Sequence, residues 1–270
     1  FGNLTPVDNA LQMRMMENFF SFSTGAALAR KSVVDATLNL GRDSYSYKMD
    51  EYMKMQYTHF TYASAALSLE HNNLNKPLFP TLGSRLHASA IYVYGRDERD
   101  SREGIIIPDG GDHFDRIRQW WGVKILWEQY FDITRDGRLS LGYTAEGVYT
   151  NHPTFDSANA TALSSPQYAP LLHSRMIYMP EYRAERYVGV GVMPTVRIIN
   201  NLYLRLSAYA MLRDTYARDN FHFLGDLSLI YHTRIGPVSL ALTKYNFVNK
   251  NNLYLTFNFG YAIFWRKGLF

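Results

Sequence analysis

The sequence predicts an all-β protein, a transmembrane antiparallel β-barrel with about eleven strands visible in this chain. Three observations lead to this prediction: long segments of strict period-two alternation, no apolar run near 18 residues, and a high aromatic content. Aromatic residues make up 15% of the 270 residues and charged residues only 19%, below the roughly 25% of typical soluble domains. A helical membrane protein is excluded, because a spanning helix needs about 20 consecutive apolar residues.

The clearest strand lies between Leu253 and Phe264, near the C-terminus. Its alternate positions are apolar, namely Leu253, Leu255, Phe257, Phe259, Tyr261 and Ile263. Such alternation is typical of a strand with one apolar face. A tilted strand of about 9–11 residues spans a bilayer, so this segment is long enough to cross a membrane.

The same alternation recurs throughout the chain. The alternation is strong in five further segments, 121–132, 139–149, 188–198, 202–210 and 221–232. It is weaker in another five, 17–29, 32–46, 57–70, 84–96 and 237–248. We therefore expect about eleven long strands and no helix.

The composition of the two faces favours a membrane barrel over a soluble β-sandwich or lipocalin-like barrel. Aromatic residues lie near strand ends on the apolar face, as in the girdles at the two membrane interfaces. Charged residues fall on the other face and are predicted to point into the lumen: Lys124, Glu128, Asp132, Glu146, Arg205 and Asp226. These six either tune a pore, or pair with one another or with a plug, and the second interpretation is favoured.

The connections predict the organisation of the chain. Residues 1–16 are expected to be a loop or the end of an upstream strand, 17–264 the barrel, and 265–270 a C-terminal tail. Membrane barrels have short periplasmic turns and long external loops, so the long segments 97–117 and 151–181 are predicted to be external. The segment 71–83 does not fit this scheme, because it is too long for the periplasmic side.

Motifs for catalysis or cofactor binding are scarce. The chain lacks G-x-S-x-G, a P-loop, H-E-x-x-H and a dinucleotide fingerprint, and it has no cysteine for a disulfide, a thiolate metal ligand or thiol catalysis. No catalytic, cofactor or metal site is predicted. Asp109, Asp112, His113 and Asp115 form an acidic loop that could hold calcium, but a solvated external loop is the favoured interpretation. The net charge of +4 without a basic cluster argues against nucleic acid as a partner.

Four stretches carry a family resemblance. They are ALSLEHNNLNKPLFPTLGSRLHASAIYVYG beginning at Ala66, then EYRAERYVGVGVMPTVRI, YHTRIGPVSLALTKY and the closing NNLYLTFNFGYAIFWRKGL. In this order they resemble the C-terminal barrel of outer-membrane patatin-like phospholipases, which is similar to the sixteen-stranded barrels of the outer-membrane assembly and two-partner secretion superfamily. The resemblance covers the chain from about residue 17 onward and implies that roughly five more strands precede it.

The resemblance implies a function as well as a fold. In that family a Ser–Asp dyad in an upstream patatin domain hydrolyses lipid esters, and Asp109-Gly110-Gly111 mimics one of its motifs only by coincidence. The chain is therefore expected to be a non-catalytic anchor in the bacterial outer membrane that exports or displays such a hydrolase. Its expected partners are outer-membrane lipids, the assembly machinery and the upstream patatin-like domain, and homo-oligomerisation is left open. The alternatives are a translocation or assembly barrel without enzyme activity and a diffusion porin.

Overall fold

A computed structural model describes residues 12–48, 56–100, 113–155, 158–175, 179–214, 220–245, 253–260 and 269. Within these residues, eleven strands form one antiparallel sheet in chain order, each strand paired with its neighbours in sequence. The strands are β1 (Gln12–Ala29), β2 (Ser32–Lys48), β3 (Gln56–Asn72), β4 (Gly83–Asp100), β5 (His113–Asp132), β6 (Leu139–Thr150), β7 (Arg186–Ile199), β8 (Leu202–Arg213), β9 (Phe221–His232), β10 (Pro237–Tyr245) and β11 (Leu253–Phe259). The all-β prediction is confirmed, and the described residues confirm the expected count of about eleven strands.

The period-two alternation separates the two faces of the sheet. The face that carries the alternating Leu, Val, Ile and aromatic residues, here called the outer face, is exposed along its whole length; Leu204, Leu227, Leu255 and Phe257 are examples. The opposite face, here called the inner face, is largely buried in β2–β10. Since successive side chains of a strand point to opposite faces, the register of every pair keeps the two sets apart.

Aromatic side chains form two groups on the outer face. Trp121 and Tyr149 lie toward one end of their strands with ring centroids 5.4 Å apart. Phe131 and Tyr143 lie toward the other end with centroids 5.8 Å apart. The ten residue steps from Trp121 to Phe131 span about 34 Å along β5, the scale of the apolar band and its girdles in a tilted membrane strand.

Two segments of the chain cover the inner face. The larger is the connection between β6 and β7, residues 151–185, here called the inserted segment. Its described parts, 151–155, 158–175 and 179–185, contain one short helix, α1 (Ala158–Ser164), and two single 3₁₀ turns at His173–Arg175 and Pro180–Tyr182. The smaller is the β3–β4 connection, residues 73–82. The hydrophobic core of the protein lies between these segments and the sheet.

Several predicted boundaries need correction. Residues 97–100 belong to β4 and 113–117 to β5, because the ladder between these strands continues to the pair Asp100 and His113. The predicted loop 97–117 is therefore shorter, and its remainder, 101–112, lies outside the described residues. Residues 12–16 belong to β1 rather than to a preceding segment. The inserted segment also contains a short helix where none was predicted.

The ends of the sheet differ from its interior. In the described residues β1 pairs only with β2, and β11 only with β10. Of the predicted tail 265–270 only Leu269 is described, and it packs against the core cluster that contains Tyr45 and Phe60. No helix in the described part of the chain is both long enough and apolar enough to span a membrane.

Candidate functional site: the inner face and its two covering segments

The six charged residues singled out from the sequence all belong to inner-face positions of the strands. Glu146, Arg205 and Asp226 are buried, whereas Asp132 is exposed at the end of β5 beside the turn into β6. The structure brings five of them into two groups, one on β3–β6 and one on β7–β10. Asp132 joins neither group.

The first group is a ladder of ion pairs. Lys124 Nζ lies 2.9 Å from Glu146 Oε1, and the same oxygen accepts a hydrogen bond of 2.6 Å from the Tyr187 hydroxyl. Arg85 lies between two carboxylates, with Nε 3.1 Å from Glu70 Oε1 and Nη1 3.6 Å from Glu128 Oε2. Apart from the buried Glu146, these charges are half-buried, and they are tolerated there because each has a partner of opposite sign.

The second group is centred on Asp226. Its Oδ2 accepts a hydrogen bond of 2.5 Å from Ser228 Oγ and its Oδ1 one of 2.6 Å from Thr243 Oγ1. These hydroxyls come from β9 itself and from β10. Two charge-assisted hydrogen bonds satisfy the carboxylate without a second ion.

Arg205 links the second group to the β3–β4 connection. Its Nε donates a hydrogen bond of 2.9 Å to Thr195 Oγ1 on β7, and its Nη2 donates to the backbone carbonyl of Pro80. The guanidinium also lies over the ring of Phe79, 5.5 Å from its centroid. The β3–β4 connection therefore reaches β8, which lies four strands beyond β4 in the sheet.

Short-range hydrogen bonds give the β3–β4 connection its shape. Asn75 Oδ1 accepts from the backbone N–H groups of Thr81 and Leu82, at 3.1 and 3.2 Å, and Asn75 Nδ2 donates to Thr81 Oγ1 at 2.9 Å. At its tip Phe79 has a φ of 54°, a left-handed conformation that is rare outside glycine and asparagine. Lys76 Nζ lies 4.3 Å from the ring centroid of Tyr203, a second contact with β8.

The first half of the inserted segment packs on β2–β5. The Phe155 ring lies 5.1 Å from Phe60 and 6.2 Å from both Tyr45 and Trp120. His152 packs against Trp120 with ring centroids 4.5 Å apart and the ring planes tilted by 59°, and its Nε2 is 3.1 Å from Ser164 Oγ at the end of α1. Burial lowers the pKa of His152 to about 4, so its imidazole is neutral at pH 7.

The second half packs on β7–β10. The Tyr182 hydroxyl donates to the Phe223 carbonyl at 2.9 Å, and its ring meets that of Tyr245 edge-on at 5.7 Å. The Tyr245 hydroxyl is 2.8 Å from His173 Nε2. Burial also lowers the pKa of His173. One segment thus contacts the sheet from β2 to β10.

Arg183 joins the two halves of the inserted segment. Its Nη1 donates to the carbonyls of Leu163 and, at 2.9 Å, Ser165, and its Nη2 donates to Gln167 Oε1 at 2.9 Å. Residues Gln167 and Arg183 also form an isolated β-bridge. The segment is therefore a folded unit with its own hydrogen bonds rather than an extended loop.

A cavity of about 520 Å³ remains between the two covering segments and the inner face. Its lining includes Phe79, Arg85, Glu128, Arg175, Arg205 and Asp226. The described ranges contain no group of three or more His, Asp or Glu side chains placed to hold a metal ion. Asp109, Gly110, Gly111 and Asp112 lie outside the described residues, as do the side chains of His113 and Asp115.

Sequence reasoning missed most of the residues that make these contacts. The six charges were found because they fall on the polar positions of alternating strands. The β3–β4 connection gave a signal in its length, which is excessive for a periplasmic turn. Its Pro77-Leu78-Phe79-Pro80 stretch is also apolar for an exposed turn. Arg183, Tyr182 and Tyr245 carried no signal, because their partners lie far away in the sequence.

The fold has a known counterpart. The crystal structure of BamA from Haemophilus ducreyi lacking POTRA domains 1–3 matches with a TM-score of 0.60 and 12% sequence identity, over 91% of this chain and 54% of that chain. This chain thus spans about half the length of that one, and the eleven-stranded sheet is similar to the BamA barrel. No family model and no curated protein matches the sequence.

Proposed function

We propose that this chain forms most of the wall of an outer-membrane β-barrel that serves as an anchor and is filled by its own inserted segment. One observation carries the proposal: the apolar face of the sheet is exposed, whereas the polar face is buried under residues 73–82 and 151–185. In water, an apolar surface of this extent would be a strong driving force for aggregation. In a bilayer the same surface meets acyl chains.

Closure of the sheet follows from the same proposal. Unpaired backbone groups are costly in a bilayer, so a membrane sheet closes on itself. The resemblance to sixteen-stranded barrels implies about five further strands between the edges of β1 and β11. The fold similarity to BamA supports this arrangement.

The domain that the barrel would anchor is proposed from the family resemblance. The stretches around His71-Asn72-Asn73, Gly236-Pro237-Val238 and Phe257-Asn258-Phe259 resemble patatin-like phospholipases, so we propose a patatin-like lipid-acyl hydrolase domain upstream in the same protein. The barrel would hold that domain at the membrane and contribute no group to ester cleavage.

Intact mass and N-terminal sequencing of the native protein, extracted from outer membranes, test whether a hydrolase domain precedes the barrel. The proposal expects a mass well above that of 270 residues, with a G-x-S-x-G peptide upstream of Phe1. A native protein without that peptide would overturn the hydrolase assignment. Recovery of the protein in a fraction other than the outer membrane would overturn the anchor itself.

A second candidate, a barrel of the assembly or translocation type, is favoured by the fold similarity to BamA. It differs in what precedes the barrel: small periplasmic α/β domains without a nucleophile would support it. Depletion of the protein would then reduce the amount of other barrels or secreted proteins in the outer membrane, which loss of a lipid hydrolase anchor would leave unchanged.

A further inference from the structure

Four short turns at one end of the sheet share an unusual composition. These turns, here called the collar, are residues 28–32 at the β1–β2 joint, 132–138 at the β5–β6 joint, 197–202 at the β7–β8 joint and 233–236 at the β9–β10 joint. Short turns belong to the periplasmic end of a membrane barrel. Basic residues outnumber acidic ones in the collar by six to two, namely Arg30, Lys31, Arg135, Arg138, Arg197 and Arg234 against Asp132 and Asp136.

Each turn of the collar also exposes a large aliphatic side chain. These are Leu28 (66%), Ile133 (53%), Ile199 (62%) and Ile235 (79%), and each lies within two residues of an arginine of the same turn. Ile133 follows the outer-face Phe131 by two residues, so this level lies just beyond the aromatic group of that end. Aliphatic side chains at this depth fit the boundary between lipid headgroups and acyl chains.

Hydrogen bonds join neighbouring turns of the collar into a continuous rim. Arg197 Nη2 donates to the Asp136 carbonyl at 2.5 Å, and the Arg197 backbone N–H donates to the Arg138 carbonyl at 2.7 Å. The backbone N–H of His232 donates to the Asn201 carbonyl at 2.8 Å. The three turns between β5 and β10 therefore present their charged side chains next to one another.

Two arginines of this rim are open to a ligand. Arg138 Nε lies 3.0 Å from Asp136 Oδ2, so these two charges largely offset each other. Arg135 and Arg234 are exposed, and neither takes part in an ion pair of the described residues. A guanidinium presents a planar fork of N–H donors that matches the oxygens of a phosphate.

We propose that the collar binds anionic glycerophospholipids of the periplasmic leaflet, with its arginines at the phosphates and its aliphatic side chains at the acyl boundary. The inference rests on the proposed membrane placement of the outer face. The periplasmic leaflet consists of glycerophospholipids, and some of their headgroups carry a net negative charge. The excess of basic residues selects these headgroups over zwitterionic ones, because each arginine or lysine near the surface is attracted to a net negative charge.

Native mass spectrometry of the full-length native protein in detergent tests the proposal, with phosphatidylglycerol and phosphatidylethanolamine of equal acyl composition as probes. We expect tighter binding of phosphatidylglycerol. Arg135→Gln and Arg234→Gln should each weaken its binding about fivefold, a loss of about 1 kcal/mol, and leave phosphatidylethanolamine binding nearly unchanged. Ile235→Ser should weaken the binding of both lipids alike, because this side chain meets the acyl boundary and not the headgroup.

Arg42→Gln and Arg186→Gln are the matched controls. Both arginines are exposed but lie at the opposite end of the sheet, so neither substitution should change the preference for phosphatidylglycerol. Equal losses in the collar variants and these controls would overturn the collar as a lipid site. Absence of a preference for phosphatidylglycerol in the unaltered protein would overturn the headgroup assignment.

Insertion into lipid vesicles separates this inference from the proposed function. A protein that inserts but shows no collar-dependent lipid binding would contradict only the lipid site. A protein that fails to insert would contradict the membrane placement, and the lipid site with it.

Discussion

Arg205 shows how a single residue connects distant parts of this sheet. Its side chain is 5% exposed, a position in which an ionised group is costly unless its donors are satisfied. The guanidinium has several N–H donors in a planar fork, and these reach both Thr195 on β7 and the Pro80 carbonyl of the β3–β4 connection. A lysine has neither the fork nor the reach to replace both contacts.

We expect Arg205→Ala to lower the free energy of unfolding by about 2–4 kcal/mol, because it leaves buried acceptors without donors. Arg205→Lys should recover only part of the loss. Urea unfolding in lipid or detergent measures both. Arg197→Ala is the control, since Arg197 donates to the Asp136 carbonyl at the exposed end of β7; an equal loss there would show that burial of Arg205 is irrelevant.

Gly189 marks a close approach between β7 and the inserted segment. A Cβ at this position would lie 2.2 Å from Tyr168 Cε2, which forces the tyrosine ring away from the sheet. We expect Gly189→Ala to destabilise the packed segment by about 1–3 kcal/mol, seen as faster proteolysis within 151–185. Gly147→Ala, on the neighbouring strand with open space, should leave proteolysis unchanged, and the same rate in both variants would contradict the contact.

The outer-face leucines test the membrane placement residue by residue. Arginine at Leu204 or Leu227 should cost about 2–4 kcal/mol if these positions lie near the bilayer midplane. Folding into vesicles at increasing urea gives the value. Leu202→Arg, at the beginning of β8, should cost about 0–1 kcal/mol because the penalty falls toward the interface. If all three variants fold like the unaltered chain, the outer face does not meet lipid.

At the scale of the elements, the inserted segment behaves as a small folded unit docked on a sheet. Its contacts are mostly aromatic and are joined by a few directed hydrogen bonds, such as Tyr182 to Phe223 and His173 to Tyr245. Two of its histidines are buried, so its docking is coupled to proton uptake.

Release of the inserted segment should become easier in acid. The pKa of His152 is about 4 when packed and near 6.5 when released, chiefly because burial disfavours the imidazolium, with a smaller effect of the Arg118 charge. The released state thus binds more protons below pH 6.5, and packing should weaken by about 1.4 kcal/mol per pH unit from 6.5 down to 4, with no change above 6.5.

Limited proteolysis of 151–185 across this pH range measures the effect. His152→Gln retains a polar partner for Ser164 and should flatten the pH dependence, leaving the contribution of His173. His71→Gln, which alters a histidine bonded to Ser32 outside the inserted segment, is the control. An unchanged pH profile in His152→Gln would contradict the assignment.

The elements differ in how well the sequence predicts them. Every strand was expected, because each carries its own alternation, but the end of β4 was placed too early and the beginning of β5 too late. Near residues 97 and 117 charged residues occupy positions on both faces of the strands. The apolar pattern therefore fades there, while the backbone ladder continues. The fold of 151–185 could not be predicted, since its partners Tyr45 and Tyr245 are distant in the chain.

At the scale of the whole molecule, the two covering segments argue against an open diffusion channel. We expect the native protein to show no steady conductance in planar bilayers. Replacing residues 153–183 by a short Gly/Ser linker should create a steady conductance, and the linker fits because Tyr149 and Arg186 are directly paired. Replacement of residues 215–219 by the same Gly/Ser linker is the control. Steady conductance of the unaltered protein would support the porin alternative.

The sequence by itself determined the strands and the assignment of each residue to one of two faces, because period-two alternation is a local property. It also placed the six charged residues on the face away from the apolar residues. Only the tertiary structure decided what covers that face: which charges pair, that Arg205 holds the Pro80 carbonyl, and that residues 151–185 pack from β2 to β10. These contacts join residues far apart in the chain and depend on side-chain shape, which periodicity does not encode.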